Sequence, residues 1–159
     1  MADEKQPIGV NFVCQGNICR SPMAEAVFQH MVNTVGLSAS FRVASSAVGD
    51  WHVGQRPHPG TQTVLSQNRI PIDPEKRAML IRSLDFNHYR YILAVDQETA
   101  ADIHMMYGHK VKRLMEYAVE GLPLDVPDPY YNHKFAQVYE LVSAACQGLL
   151  HHIREVERI

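Results

Sequence analysis

The sequence predicts an α/β fold, a single domain with a mostly parallel sheet, and three observations carry that expectation. A short apolar run near the start leads straight into a helix-start signal, strand-like runs then alternate with helical patterns, and one long amphipathic stripe closes the chain. At 159 residues, 46% hydrophobic and 20% charged, the chain has the size and composition of a packed globular domain that needs neither disulfides nor a structural metal.

Residues 8–14 (Ile-Gly-Val-Asn-Phe-Val-Cys) read as a buried strand. Ser21 as cap and Pro22 at the first helical position then open a helix whose apolar positions are Met23, Ala24, Val27, Phe28, Met31 and Val35. Residues 41–46 and 89–95 read as further strands, 60–67 and 99–106 as helices, and 111–116 as a weaker strand. Over residues 133–153, Phe135, Val138, Tyr139, Val142, Cys146, Leu149, Leu150 and Ile153 recur at three- and four-residue spacing, the stripe of one long helix packed on the sheet. The stretches 49–60 and 121–132 are dense in turn formers and predict loops at the functional end. Residues 1–7 read as a flexible N-terminal extension.

Fifteen basic and seventeen acidic residues leave a formal charge of -2, so no overall positive field draws in nucleic acid or an anionic membrane, and any anion site must be local. No apolar run is long enough to insert into a membrane and the opening residues lack a signal core, so a cytoplasmic protein is expected. Three cysteines do not form an even disulfide framework and fit reduced thiols. Nine histidines show no ligand spacing, and no metal is expected.

Chemistry concentrates in Cys14-Gln15-Gly16-Asn17-Ile18-Cys19-Arg20-Ser21, between the first strand and the first helix, where open α/β sheets bind ligands. A helix N-terminus offers unpaired N–H groups, and Gly16 and Asn17 tolerate the left-handed turns that aim more of them inward. Those donors suit an oxyanion and favour the thiolate of Cys14, which makes it a candidate nucleophile. Arg20 supplies a planar fork that grips two phosphate oxygens. Ser21 can donate to the Cys14 sulfur, and Asn17 holds the loop in shape. A phosphoryl transfer from an aryl ester also needs a proton donor, for which Asp128, between Pro127 and Pro129, is the candidate; Tyr130, Tyr131 and Trp51 offer aromatic walls for a ring-bearing substrate. Alone, Asp128 would read as a turn residue and Cys14 as a small buried hydrophobe; together with Arg20 and Ser21-Pro22 they read as a site. Cys146 falls on the apolar stripe and reads as core.

The run Val13-Cys14-x-Gly16-Asn17-Ile18-Cys19-Arg20-Ser21-Pro22, with the remote Asp128-Pro129-Tyr130-Tyr131, resembles the low-molecular-weight protein tyrosine phosphatase family from about Ile8 onward. The resemblance implies a four-stranded parallel sheet flanked by helices on both faces. It implies hydrolysis of phosphotyrosine or aryl phosphate monoesters through a phosphocysteine, without metal or cofactor. It assigns Cys14 as nucleophile, Arg20 as clamp, Asp128 as acid and then base, and Ser21 as partner of the thiolate. Gln15, Gly16, Asn17, Ile18 and Cys19 then line the phosphate, and Asn17 and Ser45 brace the loop, with Ser46 as the alternative brace. A reversible Cys14–Cys19 disulfide is likewise implied only by the resemblance. The partners it implies are a phosphotyrosine-bearing protein as substrate and phosphate or vanadate as inhibitors, with a monomer or weak dimer as the assembly.

Several positions depart from that pattern: Gln15 where an apolar residue is common, Ala44 for an acidic one, His58 and Gly60 in a Pro-Asp-x-Arg stretch, and Met79 and Leu80 in an Ala-Arg-Gln segment. Three other functions use the same or a related frame. An arsenate reductase needs a further thiol pair near mid-chain, and positions 47–145 hold no cysteine. A protein-arginine phosphatase tends to carry threonine where Ile18 stands, and a non-catalytic phosphotyrosine-binding module would lack the nucleophile or the acid.

Overall fold

The computed structural model describes residues 6–159, so residues 1–5 of the expected N-terminal extension lie outside the described residues. Ile8–Cys14 forms β1, Phe41–Ala47 β2, Tyr91–Ala94 β3 and Lys112–Arg113 β4, a fully parallel sheet in the order β2-β1-β3-β4. Among the described residues the α-helices are α1 (Arg20–Thr34), α2 (Pro59–Gln67), α3 (Asp85–His88), α4 (Gln97–Tyr107), α5 (Pro129–Asn132) and α6 (Phe135–Glu157).

The near-continuous apolar run of β1 follows from its place: it is central, and both of its faces are covered. Phe12 points into a core shared with α1 and α6 residues such as Phe28, Val142 and Leu149, while its neighbour Val13 points into a second core with Ile81, Ile92 and Ile103. Burying one large aliphatic or aromatic side chain contributes about 1.5–3 kcal/mol, so the two-sided strand is the main anchor of the domain. The chain leaves β1 toward β2 on one side and later returns to β3 on the other, which makes the end of β1 the switch point of the sheet. Cys14 stands there, in register with Ala47.

The first helix begins at Arg20 and not at Pro22, with Cys19 in place of Ser21 at the cap position and no side-chain cap bond. The expected serine cap fails because the Ser21 hydroxyl is already engaged by Cys14 and Asn17. Pro22 remains compatible, since the first four N–H groups of a helix need no intrahelical partner. The strand expected over residues 111–116 is only two residues long. Glu116 reaches back to accept from Arg113 N at 2.6 Å, and Leu114 and Met115 turn into the core as a 3-10 turn. Gly148 lets α6 close on that turn: a Cβ there would lie 1.7 Å from the carbonyl oxygen of Tyr117. The long stripe is otherwise as expected, from Phe135 to Ile153. Within the loop expected over 121–132, Asp128 and Pro129 start the one-turn helix α5, and a second one-turn helix, α3, has too few residues for a period. Among the described residues no helix is long and apolar enough to cross a membrane.

Candidate active site

The loop between β1 and α1 turns its carbonyl groups outward. Cys14 O accepts from Val48 N at 3.1 Å, Gln15 O from Gly49 N at 3.0 Å and Ile18 O from His58 N at 2.8 Å, while Thr61 Oγ1 donates to Cys19 O at 3.0 Å. Four carbonyls of the loop are thus spent on flanking segments, and the N–H of Asn17 turns to the inside. Asn17 N donates to Cys14 Sγ at 3.1 Å, and the Ser21 hydroxyl sits 2.9 Å from the same sulfur.

Asn17 holds this shape. Its φ of 58° is the left-handed turn that asparagine tolerates, and it is buried. Its Nδ2 donates to Ser21 Oγ at 2.7 Å and to Ser45 Oγ at 2.9 Å, and its Oδ1 accepts from Met79 N at 3.1 Å. Ser45, not Ser46, is therefore the hydroxyl on Asn17; Ser46 donates instead to Asn11 Oδ1. The network continues outward, from Ser45 Oγ to Glu25 Oε1 at 2.5 Å and from Lys76 Nζ to Ser45 O at 2.9 Å and Glu25 at 3.4 Å. Sequence reading missed Glu25 and Lys76, since nothing near them in the chain signals a shared partner.

Arg20 is buried, with NH1 bonded to Asp96 Oδ2 at 2.5 Å and to Val126 O at 2.9 Å, which leaves NH2 toward Asp128 Oδ2 at 3.7 Å. Burial alone would lower the Arg20 pKa, but the negative charges of Cys14, Asp96 and Asp128 outweigh it and raise it. Asp96 was also missed. Burial pushes its carboxyl up, yet Arg20 and the hydrogen bonds from Thr99 hold it below the usual carboxylate range. The same carboxylate caps α4, accepting from Thr99 N at 2.8 Å.

A pocket of about 630 Å³ opens above this floor. Cys14, Gln15, Gly16, Ile18, Cys19 and Arg20 line its base, and Asp128, Tyr130, Tyr131 and Trp51 its mouth. The expected aromatic residues line the pocket from its exposed side, Trp51 at 65% and Tyr131 at 81% exposure. Asp128 Oδ1 accepts from Tyr130 N at 3.0 Å, so the carboxylate caps α5 while facing the cavity. Two histidines stand at this end of the molecule. His52 lines the pocket, and His58 Nδ1 accepts from Gly60 N at 2.9 Å to cap α2 while its ring stacks on Phe135, centroids 4.9 Å apart. Glycine at 60 follows from that packing, since a Cβ there would meet the Phe135 ring at 2.4 Å. Cys14 and Cys19 are both free thiols; burial first, then the charges of Cys14 and Asp128, push Cys19 up to about 12. Cys146 is a fully buried core thiol.

A thiol held by the Asn17 N–H and the Ser21 hydroxyl at the switch point of a parallel sheet, with a buried guanidinium and a carboxyl across the pocket, defines a phosphatase of the cysteine-dependent class. The family model described as low molecular weight phosphotyrosine protein phosphatase matches residues 9–158, and the chain belongs to that family. It is 39% identical to the low molecular weight protein-tyrosine-phosphatase YfkJ of Bacillus subtilis, over 96% of this chain and 99% of that one. It is 37% identical to the corresponding PtpA of Staphylococcus saprophyticus, over 92% of this chain and 94% of the relative. The crystal structure of the Bacillus subtilis protein superimposes with a TM-score of 0.91, covering 96% of this chain and 98% of that one. A Drosophila arginine phosphatase superimposes at 0.83 with 28% identity, covering 91% of this chain and 97% of that one.

Proposed function

We propose that this phosphatase hydrolyses phosphotyrosine, or another aryl phosphate monoester, on protein substrates, and that Cys14, Arg20 and Asp128 carry the reaction. The observation that carries the reading is the Cys14 sulfur held at 3.1 Å by Asn17 N and at 2.9 Å by Ser21 Oγ, beside Arg20.

In the first step the Cys14 thiolate forms a sulfur–phosphorus bond as the phosphorus–oxygen bond to the aryl group breaks, and Asp128 in its acid form gives its proton to the departing oxygen. Arg20 and the loop N–H groups take the charge that spreads over the three remaining oxygens. In the second step the Asp128 carboxylate accepts a proton from water, water oxygen bonds to phosphorus, and the sulfur leaves as a thiolate. The Ser21 hydroxyl stabilises that leaving group by donating to it. Inorganic phosphate is the product and, like vanadate, competes for the cradle.

The arginine-phosphatase alternative is disfavoured by the bulk of Ile18, which lines the pocket while only 7% exposed. Arsenate reduction lacks its thiols, because the one cysteine beyond the loop is buried in α6. A merely phosphotyrosine-binding module has no use for a nucleophile and an acid across one cavity. A monomer or weak dimer in the cytoplasm is the setting this reading assumes. Rates on matched peptides carrying phosphotyrosine, phosphoserine or phosphoarginine, and on arsenate with a thiol reductant, all without added metal, test the proposal. Phosphotyrosine turns over fastest by at least about tenfold if the depth of the cradle selects an aryl ester; phosphoarginine or arsenate turned over fastest refutes it.

A further inference from the structure

Gln15 departs from the apolar residue common at its place, and its side chain does not lie loose on the rim. Nε2 donates to Thr99 Oγ1 at 3.1 Å and to Asp102 Oδ2 at 3.0 Å, spending both hydrogens of the amide on α4. Thr99 is fully buried and is also the residue whose N–H fixes Asp96 Oδ1, at 2.8 Å. Asp96 Oδ2 in turn holds NH1 of Arg20 at 2.5 Å. The loop thus grips the N-terminal half of α4 and its cap at two points, through Gln15 on Thr99 and Asp102 and through Arg20 on Asp96.

We propose that Gln15 is a positioning residue for the Arg20 guanidinium, acting through Thr99 and Asp96; the inference rests on the reading of Arg20 as the group that grips the phosphoryl oxygens. NH1 of Arg20 is committed to Asp96 and to Val126 O, so the direction in which NH2 faces the cavity is set by where Asp96 sits. Asp96 is the cap of α4, and its place follows the first turn of that helix. Gln15 ties that turn to the second residue of the phosphate loop, so the carboxylate that orients the clamp moves with the cradle the clamp serves. An apolar residue of equal length would leave Thr99 Oγ1 and the Asp102 carboxylate without these donors and would free α4 to shift relative to the loop.

Gln15→Leu is the direct test. A charge-linked hydrogen-bond chain of this kind corresponds to about a tenfold effect, so kcat for an aryl phosphate falls about tenfold. Inhibition by vanadate, which resembles the transition state, weakens by about the same factor, while the KM changes less. In an Asp96→Asn background the same substitution has little further effect, because both cut one chain. A purely structural role would lower the melting temperature without weakening vanadate. Gln15→Leu with unchanged kcat and vanadate inhibition, or additive losses with Asp96→Asn, overturns the inference while leaving the phosphatase reading intact. If Cys14→Ser retains turnover, the parent reading fails first.

Discussion

The phosphate loop and the loop that carries Asp128 face each other across one pocket and are built in opposite ways. In the first, Asn17, Arg20 and Ser21 are buried and every polar side-chain group of Asn17 has a partner. In the second, the Asp128 side chain is 33% exposed, and its carboxylate has one backbone hydrogen bond and a distant guanidinium. The contrast teaches a division of labour. A dianion must meet donors that are already in place, since reorganising them during reaction would cost the electrostatic stabilisation they exist to supply. On the proposed mechanism Asp128 approaches and retreats with the leaving group and the water, which a short, partly exposed turn suits.

Substitutions on the two sides should therefore differ in kind. The largest loss is expected for Arg20→Lys, about 10³-fold in kcat/KM, because an ammonium cannot both hold Asp96 and Val126 O and present a planar fork to phosphate. Steady-state kinetics measures it, and a loss under about tenfold would mean that only charge is needed there. Asp128→Ala should slow hydrolysis of a poor leaving group by about 10²-fold and a good one far less. Its melting temperature should fall only slightly, as the side chain is one-third exposed and caps a single helical turn. A uniform loss along a leaving-group series would remove Asp128 from the acid role.

Asn17→Ala should lower both stability and activity, by about 2–4 kcal/mol in a urea titration, since it leaves buried partners unpaired and puts alanine at positive φ. Asn17→Gly recovers the backbone share, about 1 kcal/mol, and not the hydrogen bonds. Equal stability of the two variants would show that backbone strain contributes nothing.

The smallest effect concerns pH. Burial, with the like charges of His133 and His52, holds His58 below its usual value of 6.5, and protonation of Nδ1 also forfeits the bond from Gly60 N. The unfolded chain binds that proton first, so the stability from a neutral His58 is present above its unfolded value and is lost as pH falls through the lower folded one. His58→Asn keeps a cap and removes the titration, so its stability should fall less steeply as pH drops below the ordinary histidine value of 6.5. Parallel curves for the two proteins would remove His58 from the acid limb.

Much of this was legible in the sequence where the signal is local. The two-sided burial of β1 shows as an apolar run broken only by Asn11, the stripe of α6 as a period, and the cradle as eight consecutive residues ending in Arg20-Ser21. What stayed hidden depends on contacts distant in sequence. Asp96 looks like an ordinary helix cap until the fold brings Arg20 to it, and Ser21 looks like a cap until the sulfur of Cys14 claims its hydroxyl. Gly60 looks like a lapse from a family pattern until the ring of Phe135 is seen to need the space. In each case local propensity lost to a partner that only the tertiary structure supplies.

The central claim is that phosphorus passes onto sulfur in the preformed cradle. Asp128→Ala mixed with a good-leaving-group aryl phosphate and quenched in acid within one turnover should carry a single phosphoryl group on the peptide containing Cys14, read by mass spectrometry. A phosphoryl group on any other residue, or none at all while product is released, would contradict the account.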